Sequence, residues 1–443
     1  MTIQLSEHFT YRKLLRFTLP SIVMMVFSSI YGVVDGVFVS NFVGTEAFAA
    51  VNLIMPFLMV LGAVGFMLGT GGSALVSFTL GAGDARKANE IFSLLIYVLL
   101  AVGAVFTVVG IAGMEPMARF LGADEKMLPI CVVYGRIVLA SLIPFMLQNT
   151  FQSFLITAER PNFGLYITIA AGVSNMVLDA MFIAVFRWGV VGAALATSIS
   201  QLIGGFIPLV YFIFPNGSKL RLCPAKFDSS ALLRACTNGA SEFMSNISMS
   251  VVNMLYNWQL MRLMGADGVA VYGVIMYVNF IFVSIFLGYS IGSGPIVGYH
   301  YGAGDQRELQ GLLRKSLCLT ALMSLILTMA ALLLARPLSL IFMSGNPELL
   351  PVTIRAFSIY SLSFLLVGFN IFASSFFTAL NDGLTSALIS FARTLIFEVA
   401  AVLILPLIWE VDGVWGAAIA AEALALVLSV LCLAKNRKKY GYF

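Results

Sequence analysis

The chain has 443 residues, of which 60% are hydrophobic and only 10% charged, and its mean hydropathy is +0.98. A soluble globular chain carries about 25% charged residues, so the soluble classes are excluded and a polytopic membrane protein remains. The net charge of +4 is modest, and its distribution along the chain says more than its size.

Met1 to Thr10 is polar, and the apolar stretch that follows carries no A-x-A site, so the first helix is expected to stay in the membrane rather than be cleaved. Apolar runs of about 20 residues between polar breaks predict an all-α fold of twelve transmembrane helices: 14–40, 48–78, 90–113, 128–156, 162–186, 190–214, 231–263, 268–298, 312–335, 350–379, 384–409 and 413–434. An even number of spans puts both termini on one side. With that side taken as cytoplasmic, the inner segments hold Arg12, Lys13, Arg16, Arg86, Lys87, Arg160, Lys219, Arg221, Lys226, Arg234, Arg307, Arg314, Lys315, Lys435, Arg437, Lys438 and Lys439. The outer segments hold only Arg119, Lys126, Arg187, Arg262 and Arg336, and this bias sets the orientation by the positive-inside rule.

Polar residues inside the spans are the candidates for function. Span 1 contains Pro20, an expected kink, and Asp35; span 5 contains Asn175 and Asp179; span 6 contains Thr197. By helical rise Asp35, Asp179 and Thr197 lie roughly 9–12 Å from the outer end of their spans. A carboxylate in a lipid-spanning segment is costly and normally marks an ion or proton path. Asn175 and Asp179, spaced i and i+4, share a helix face. Span 4 carries Gln148, Asn149 and Gln152, and span 10 carries Asn370 and Ser374. All are candidates to line a cavity, although small polar residues also join membrane helices. Tyr256, Asn257 and Trp258 in span 7 offer an aromatic surface for cations. Arg393 precedes Glu398 by five residues in span 11, and Glu422 lies in span 12. Those acids read either as half of an Arg–Glu pair or as an acidic patch that attracts cations.

The halves of the chain repeat. Leu80-Gly81-Ala82-Gly83-Asp84 recurs as Tyr301-Gly302-Ala303-Gly304-Asp305, a shift of 221 that also pairs Gly44 with Gly265, Pro116 with Pro337 and Asn149 with Asn370. Six spans per half give both copies the same orientation, the parallel-repeat plan of transporters. The expected organisation is an amino-terminal lobe over 1–214, a cytoplasmic linker over 215–230 and a carboxy-terminal lobe over 231–443.

The run from Tyr31 through Asp35 to Gly44, then Ala49-Ala50-Val51, Pro56, Gly81-Ala82-Gly83-Asp84 and Gly413-Val414-Trp415-Gly416-Ala417, resembles the multidrug and toxic compound extrusion (MATE) family over essentially the whole chain. The set looks most like the DinF-like branch, whose amino-lobe cation site uses an Asp on helix 1, an Asn-x-x-x-Asp on helix 5 and a Thr on helix 6. The resemblance therefore implies that Asp35, Asn175, Asp179 and Thr197 couple transport to sodium or protons, with Asp35 and Asp179 as metal ligands if the ion is sodium. Two carboxylates brought together in low dielectric cannot easily both stay ionised, so they share a proton or bind a cation jointly. The helix 7 and helix 10 acids of the NorM-like branch have no confident match, since Asn370 stands near one position and Glu242 lies too near the start of its span for the other.

What the resemblance further implies is efflux of amphipathic, often cationic, organic compounds by rocking of two lobes, from a working monomer in a bacterial plasma membrane. Small organic molecules and membrane lipids are the expected partners, with no nucleic acid. No cofactor is expected beyond the coupling ion, and no enzyme motif or Walker loop is present. The alternatives are a flippase or exporter of a lipid-linked precursor or dedicated metabolite, and a passive pore, which the lack of a ring-like filter disfavours.

Overall fold

The computed structural model describes residues 3–342 and 348–442. The described residues form helices and no strands. In the first half these are α1 (Tyr11–Phe38), α2 (Thr45–Gly81), α3 (Ala85–Phe120), α4 (Met127–Ala140), α5 (Leu142–Thr157), α6 (Pro161–Asp179) and α7 (Gly189–Ile213). The second half has α8 (Ser229–Met264), α9 (Ala266–Gly302), α10 (Gln306–Phe342), α11 (Leu349–Ser361), α12 (Phe364–Ala379), α13 (Gly383–Phe391), α14 (Glu398–Ile404) and α15 (Pro406–Tyr440). Among the described residues, nine spans are long and apolar enough to cross a membrane alone. Two more are bent pairs, α4 with α5 at 55° and α11 with α12 at 40°. The twelfth is α8, 36 residues long but rich in Ser and Asn. Twelve spans in two sets of six make the chain a multi-pass membrane protein.

The expected spans 128–156 and 350–379 are each broken rather than straight. At the first break Pro144 cannot donate the backbone hydrogen bond that would join α5 to the last turn of α4, and Ser141 instead bonds Val138 O and the Gln201 side chain. At the second, Ser361 turns its hydroxyl onto Phe357 O, a local bond that competes with the helix ladder. α1 runs through Pro20 without interruption. α3 and α10 expose Val105 and Val108 and, at the matching places in the repeat, Ile326 and Met329, together with Val109 and Leu325, apolar faces that suit lipid.

The Gly-Ala-Gly-Asp segments are turns between helices. Gly83 and Gly304 take positive φ of 87° and 72°, which a residue with a Cβ rarely adopts. Asp84 and Asp305 then cap the next helix by accepting from Lys87 N and Glu308 N.

These turns mark the basic end of the molecule, and there the lobes meet backbone to backbone. A Cβ on Gly81 would lie 2.0 Å from Tyr299 O, and one on Gly302 would lie 2.0 Å from Phe78 O. Phe78 and Tyr299 are themselves 221 residues apart, so the contact is reciprocal about the repeat axis. Further in, Gly71 packs on Ala235 and Gly239 while Gly292 packs on Thr18, the same exchange repeated. Small residues let membrane helices approach this closely.

Residues 3–9 cross beneath both lobes at the same end. Leu5 N donates to Glu159 Oε1 at 2.7 Å and Phe9 N to Glu308 Oε1 at 2.9 Å. His8 pairs with Glu308 as well. Leu5 and Phe9 are buried in a cluster with Leu14, Phe17 and Ile156 of one half and Ile296, Leu309 and Phe376 of the other. Between α7 and α8 the chain lies against α3, where Arg221 N donates to Asn89 Oδ1 and Cys223 N to Ser93 Oγ.

Candidate functional site

Asp35 sits one turn before the end of α1, at the end of the molecule opposite the Gly-Ala-Gly-Asp turns, and Asp179 is the last residue of α6. Each is followed by a π-helical turn, Val39–Val43 after Asp35 and Ala180–Val185 after Asp179. Such turns carry an extra residue and often mark functional positions. The two carboxyl groups lie within hydrogen-bonding reach of each other. Even so, Asp35 Oδ1 and both Asp179 oxygens accept no hydrogen bond from protein. Two ionised carboxylates are acceptors only, so the pair is complete only with a proton or a cation between them.

The other expected members gather around this pair. Asn175 is buried one turn before Asp179. Thr197 on α7 places an unpartnered hydroxyl there, beside the phenol of Tyr134 from α4. Tyr134 is 1% exposed and feels the charge of both aspartates. Sequence reasoning missed it, because a tyrosine in an apolar run looks like packing. Tyr31, one turn before Asp35, is likewise within reach of Gln148. Gln148, Asn149 and Gln152 are all buried on α5.

The carboxy-terminal half holds a second polar cluster, and here the expected partnerships change. Arg393 bonds Glu422 rather than Glu398: its Nε is 2.8 Å from Glu422 Oε1. Asn370 Nδ2 donates to Glu422 Oε2 at 2.7 Å, and Ser429 Oγ donates to Asn370 Oδ1. Glu422, Arg393 and Asn370 therefore form a satisfied interhelical network, and Asn370, with no exposure, is part of its frame. Glu398 is the loosely held acid, with only a 3.5 Å contact from Tyr256 OH. It begins α14 directly after a third π turn, Ala392–Phe397. Tyr256 stacks on Tyr272 at 4.9 Å. A cavity of about 650 Å³, including its open mouth, is lined by Tyr272, Tyr360, Asn253, Arg393, Glu398 and Glu422 together with Met249, Met276 and Phe280. Asn257 and Trp258 are exposed and are not among its lining residues; Asn253, one turn before Asn257, is.

Arg393→Ala should cost about 3–5 kcal/mol of stability, because it leaves Glu422 buried without its counter-charge. Arg393→Met combined with Glu422→Leu should recover most of that loss. Thermal unfolding in lipid nanodiscs checks both, and a single substitution no worse than the double would contradict the pairing.

The family model described as MatE matches residues 20–181 and 243–403. The multidrug export protein MepA of Staphylococcus haemolyticus is 23% identical over 434 residues, covering 98% of this chain and 95% of that protein. Among solved structures, a MATE in complex with MaL6 superposes with a TM-score of 0.92 at 21% identity, covering 98% of this chain and 97% of that one. An outward-facing multidrug resistance MATE family transporter of the MOP superfamily also gives 0.92 at 21% identity, covering 98% of each chain.

Proposed function

Because the chain belongs to the MatE family, whose members are transporters and not enzymes, we propose that it exports amphipathic, often cationic, organic compounds in exchange for sodium or protons. The observation that carries this reading is the Asp35–Asp179 pair, two carboxyl groups within reach of each other of which Asp35 Oδ1 and both Asp179 oxygens accept from no protein donor. Asn175 and Thr197 complete a hard oxygen site on three helices, and Asp35 and Asp179 are the direct ligands when the ion is sodium. The staphylococcal relative is a multidrug export protein, and the similarity over nearly all of both chains favours a related role here.

In this reading the basic end faces the cytoplasm, and lobes 1–214 and 231–443, joined through 215–230, alternate in access. The carboxy-lobe cavity receives substrate. Glu398 attracts the cationic part, the rings of Tyr272 and Tyr360 offer it their faces, and Met249 and Met276 adapt to varied apolar parts. Binding of the coupling ion to Asp35 and Asp179 draws α1 and α6 together, with Pro20 as the hinge that lets α1 bend.

The test is movement of a fluorescent cationic dye into inside-out vesicles with sodium and pH gradients imposed separately. Uptake that follows one gradient and reverses with it identifies the ion. No uptake under either gradient would sink the dye-export reading and favour a lipid-linked or dedicated substrate.

A further inference from the structure

We propose that the basic end of α10 carries a binding groove for an anionic phospholipid, in which Arg307 and Arg314 hold the phosphate and the apolar helix face beyond them holds an acyl chain.

The repeat shows how such a groove comes to be open in one lobe only. At the basic end of α3, the chain that follows α7 lies along the helix. Asn89 Nδ2 donates to Lys219 O at 3.4 Å, Arg221 N to Asn89 Oδ1, Cys223 N to Ser93 Oγ and Tyr97 OH to Cys223 O. Arg86 is paired there with Glu90. The shift of 221 carries positions 86, 89, 90, 93 and 97 onto Arg307, Gln310, Gly311, Arg314 and Cys318 of α10. Gln310 keeps the part of Asn89, donating from Nε2 to Gly441 O at 3.2 Å in the chain that follows α15. Beyond that bond the likeness stops. Gly311 stands where the acid was, and Arg314 stands where a serine bonded the linker. Among the described residues neither Arg307 nor Arg314 has an ion-pair partner. Glu308 is buried and engaged by His8 and by Phe9 N, and Asp305 caps α10.

What results is an open groove of about 980 Å³, counting its mouth, lined by Arg307, Gln310, Arg314, Leu317, Cys318 and Tyr442 among others and by no carboxylate. Guanidinium groups match phosphate oxygens in geometry as well as in charge. Lipid is the source because of where the groove lies. Residues 316–335 of α10 are uncharged, between Lys315 and Arg336, and by helical rise they span about 30 Å, the thickness of the hydrocarbon layer. Arg314 therefore stands at headgroup level, with Arg307 about 10 Å further out by the same rise. Cys318, Leu322, Leu325 and Met329 continue the same face of α10 into the apolar layer, all exposed. A free phosphate ion gains nothing from that face, whereas a phospholipid uses it and the arginines together. Basic pockets beside membrane helices take anionic headgroups in this way. A zwitterionic headgroup is disfavoured, because its ammonium would enter a groove that has two guanidinium groups and no acid.

The experiment is native mass spectrometry of the full chain in detergent micelles, titrated with phosphatidylglycerol, phosphatidylcholine or inorganic phosphate. Wild type should hold one phosphatidylglycerol about tenfold or more tighter than phosphatidylcholine, and millimolar phosphate should not displace it. Arg307→Gln and Arg314→Gln should each weaken that binding about fivefold, and together roughly 25-fold. Gly311→Glu gives Arg307 the i, i+4 partner that Glu90 gives Arg86; its Cβ meets only the flexible Lys315 side chain, and it should weaken binding about fivefold too. Arg86→Gln, at the repeat mate of Arg307, should leave binding unchanged. Arg86, Arg307 and Arg314 are exposed, so their variants should melt with wild type in phosphatidylcholine. Equal affinity for the two lipids, displacement by phosphate alone, or an equal loss in Arg86→Gln overturns the proposal. The first would leave ordinary lipid contact, the second a site for a free anion, and the third a general effect of positive charge.

Discussion

Asp35→Asn and Asp179→Asn should each abolish gradient-driven transport while leaving the protein folded. At an effective dielectric of about 20, a unit charge about 4 Å from a cation contributes roughly 4 kcal/mol. Loss of one carboxylate should therefore weaken cation binding by roughly 100-fold or more, at about 1.4 kcal/mol per decade. Stability should move the other way. The two carboxylates face each other without donors, and neutralising one relieves their repulsion, so each variant should melt at or above the wild-type temperature in buffer without sodium. Added sodium, or acid if the ion is a proton, should stabilise wild type and not the variants. The pair would lose its coupling role if either variant kept gradient-dependent flux. Asn175→Ala and Thr197→Ala remove neutral ligands only, and their effects should be smaller.

Gly302→Leu should stop transport by a different route. The added Cβ meets the Phe78 carbonyl at 2.0 Å, and a backbone oxygen cannot rotate aside as a side chain can. The basic ends of α2 and α9 must then part. Moving a two-state equilibrium from one side to the other takes about 5.5 kcal/mol, and a buried overlap with backbone is expected to reach that range, beyond the usual 1–3 kcal/mol for overpacking against side chains. A cysteine at Ser77, which is fully buried and faces Gly298 across the interface, reports the change. In the Gly302→Leu background it should react with maleimide from the basic side at least tenfold faster than in the parent, and dye flux should disappear. Gly81→Leu should behave alike, because its contact with Tyr299 is the reciprocal one. Unaltered flux in Gly302→Leu would show that closure at this end is not part of the cycle.

Much of the architecture was legible because the membrane restricts the choices. Asp35 and Asp179 stood out since an acid has no ordinary place in an apolar run, and the turns at Gly83 and Gly304 were readable from a repeated Gly-Ala-Gly-Asp. Less visible were features that depend on which helix faces which. The choice of Glu422 over Glu398 by Arg393 is an interhelical matter that sequence spacing does not fix. Tyr134 stands beside the aspartates through the packing of α4 against other helices, which spacing along the chain does not fix. The three π turns next to Asp35, Asp179 and Glu398 have no compositional mark; they add a residue to the helix repeat without changing its apolar character. Glu242 looked like the edge of a span because α8 begins in a polar stretch, whereas packing against α2 puts it inside.

The strap formed by residues 3–9 bears on how the protein is made. Its two anchors lie far downstream, with Glu308 some 300 positions beyond His8. At translation speeds of about 5–20 residues per second, roughly 15–60 s separate synthesis of the strap from synthesis of that anchor. The strap cannot bridge the halves until the start of α10 has been made. Residues made well before their anchor are thus among the last to find their place, and their docking is a natural endpoint by which to time assembly.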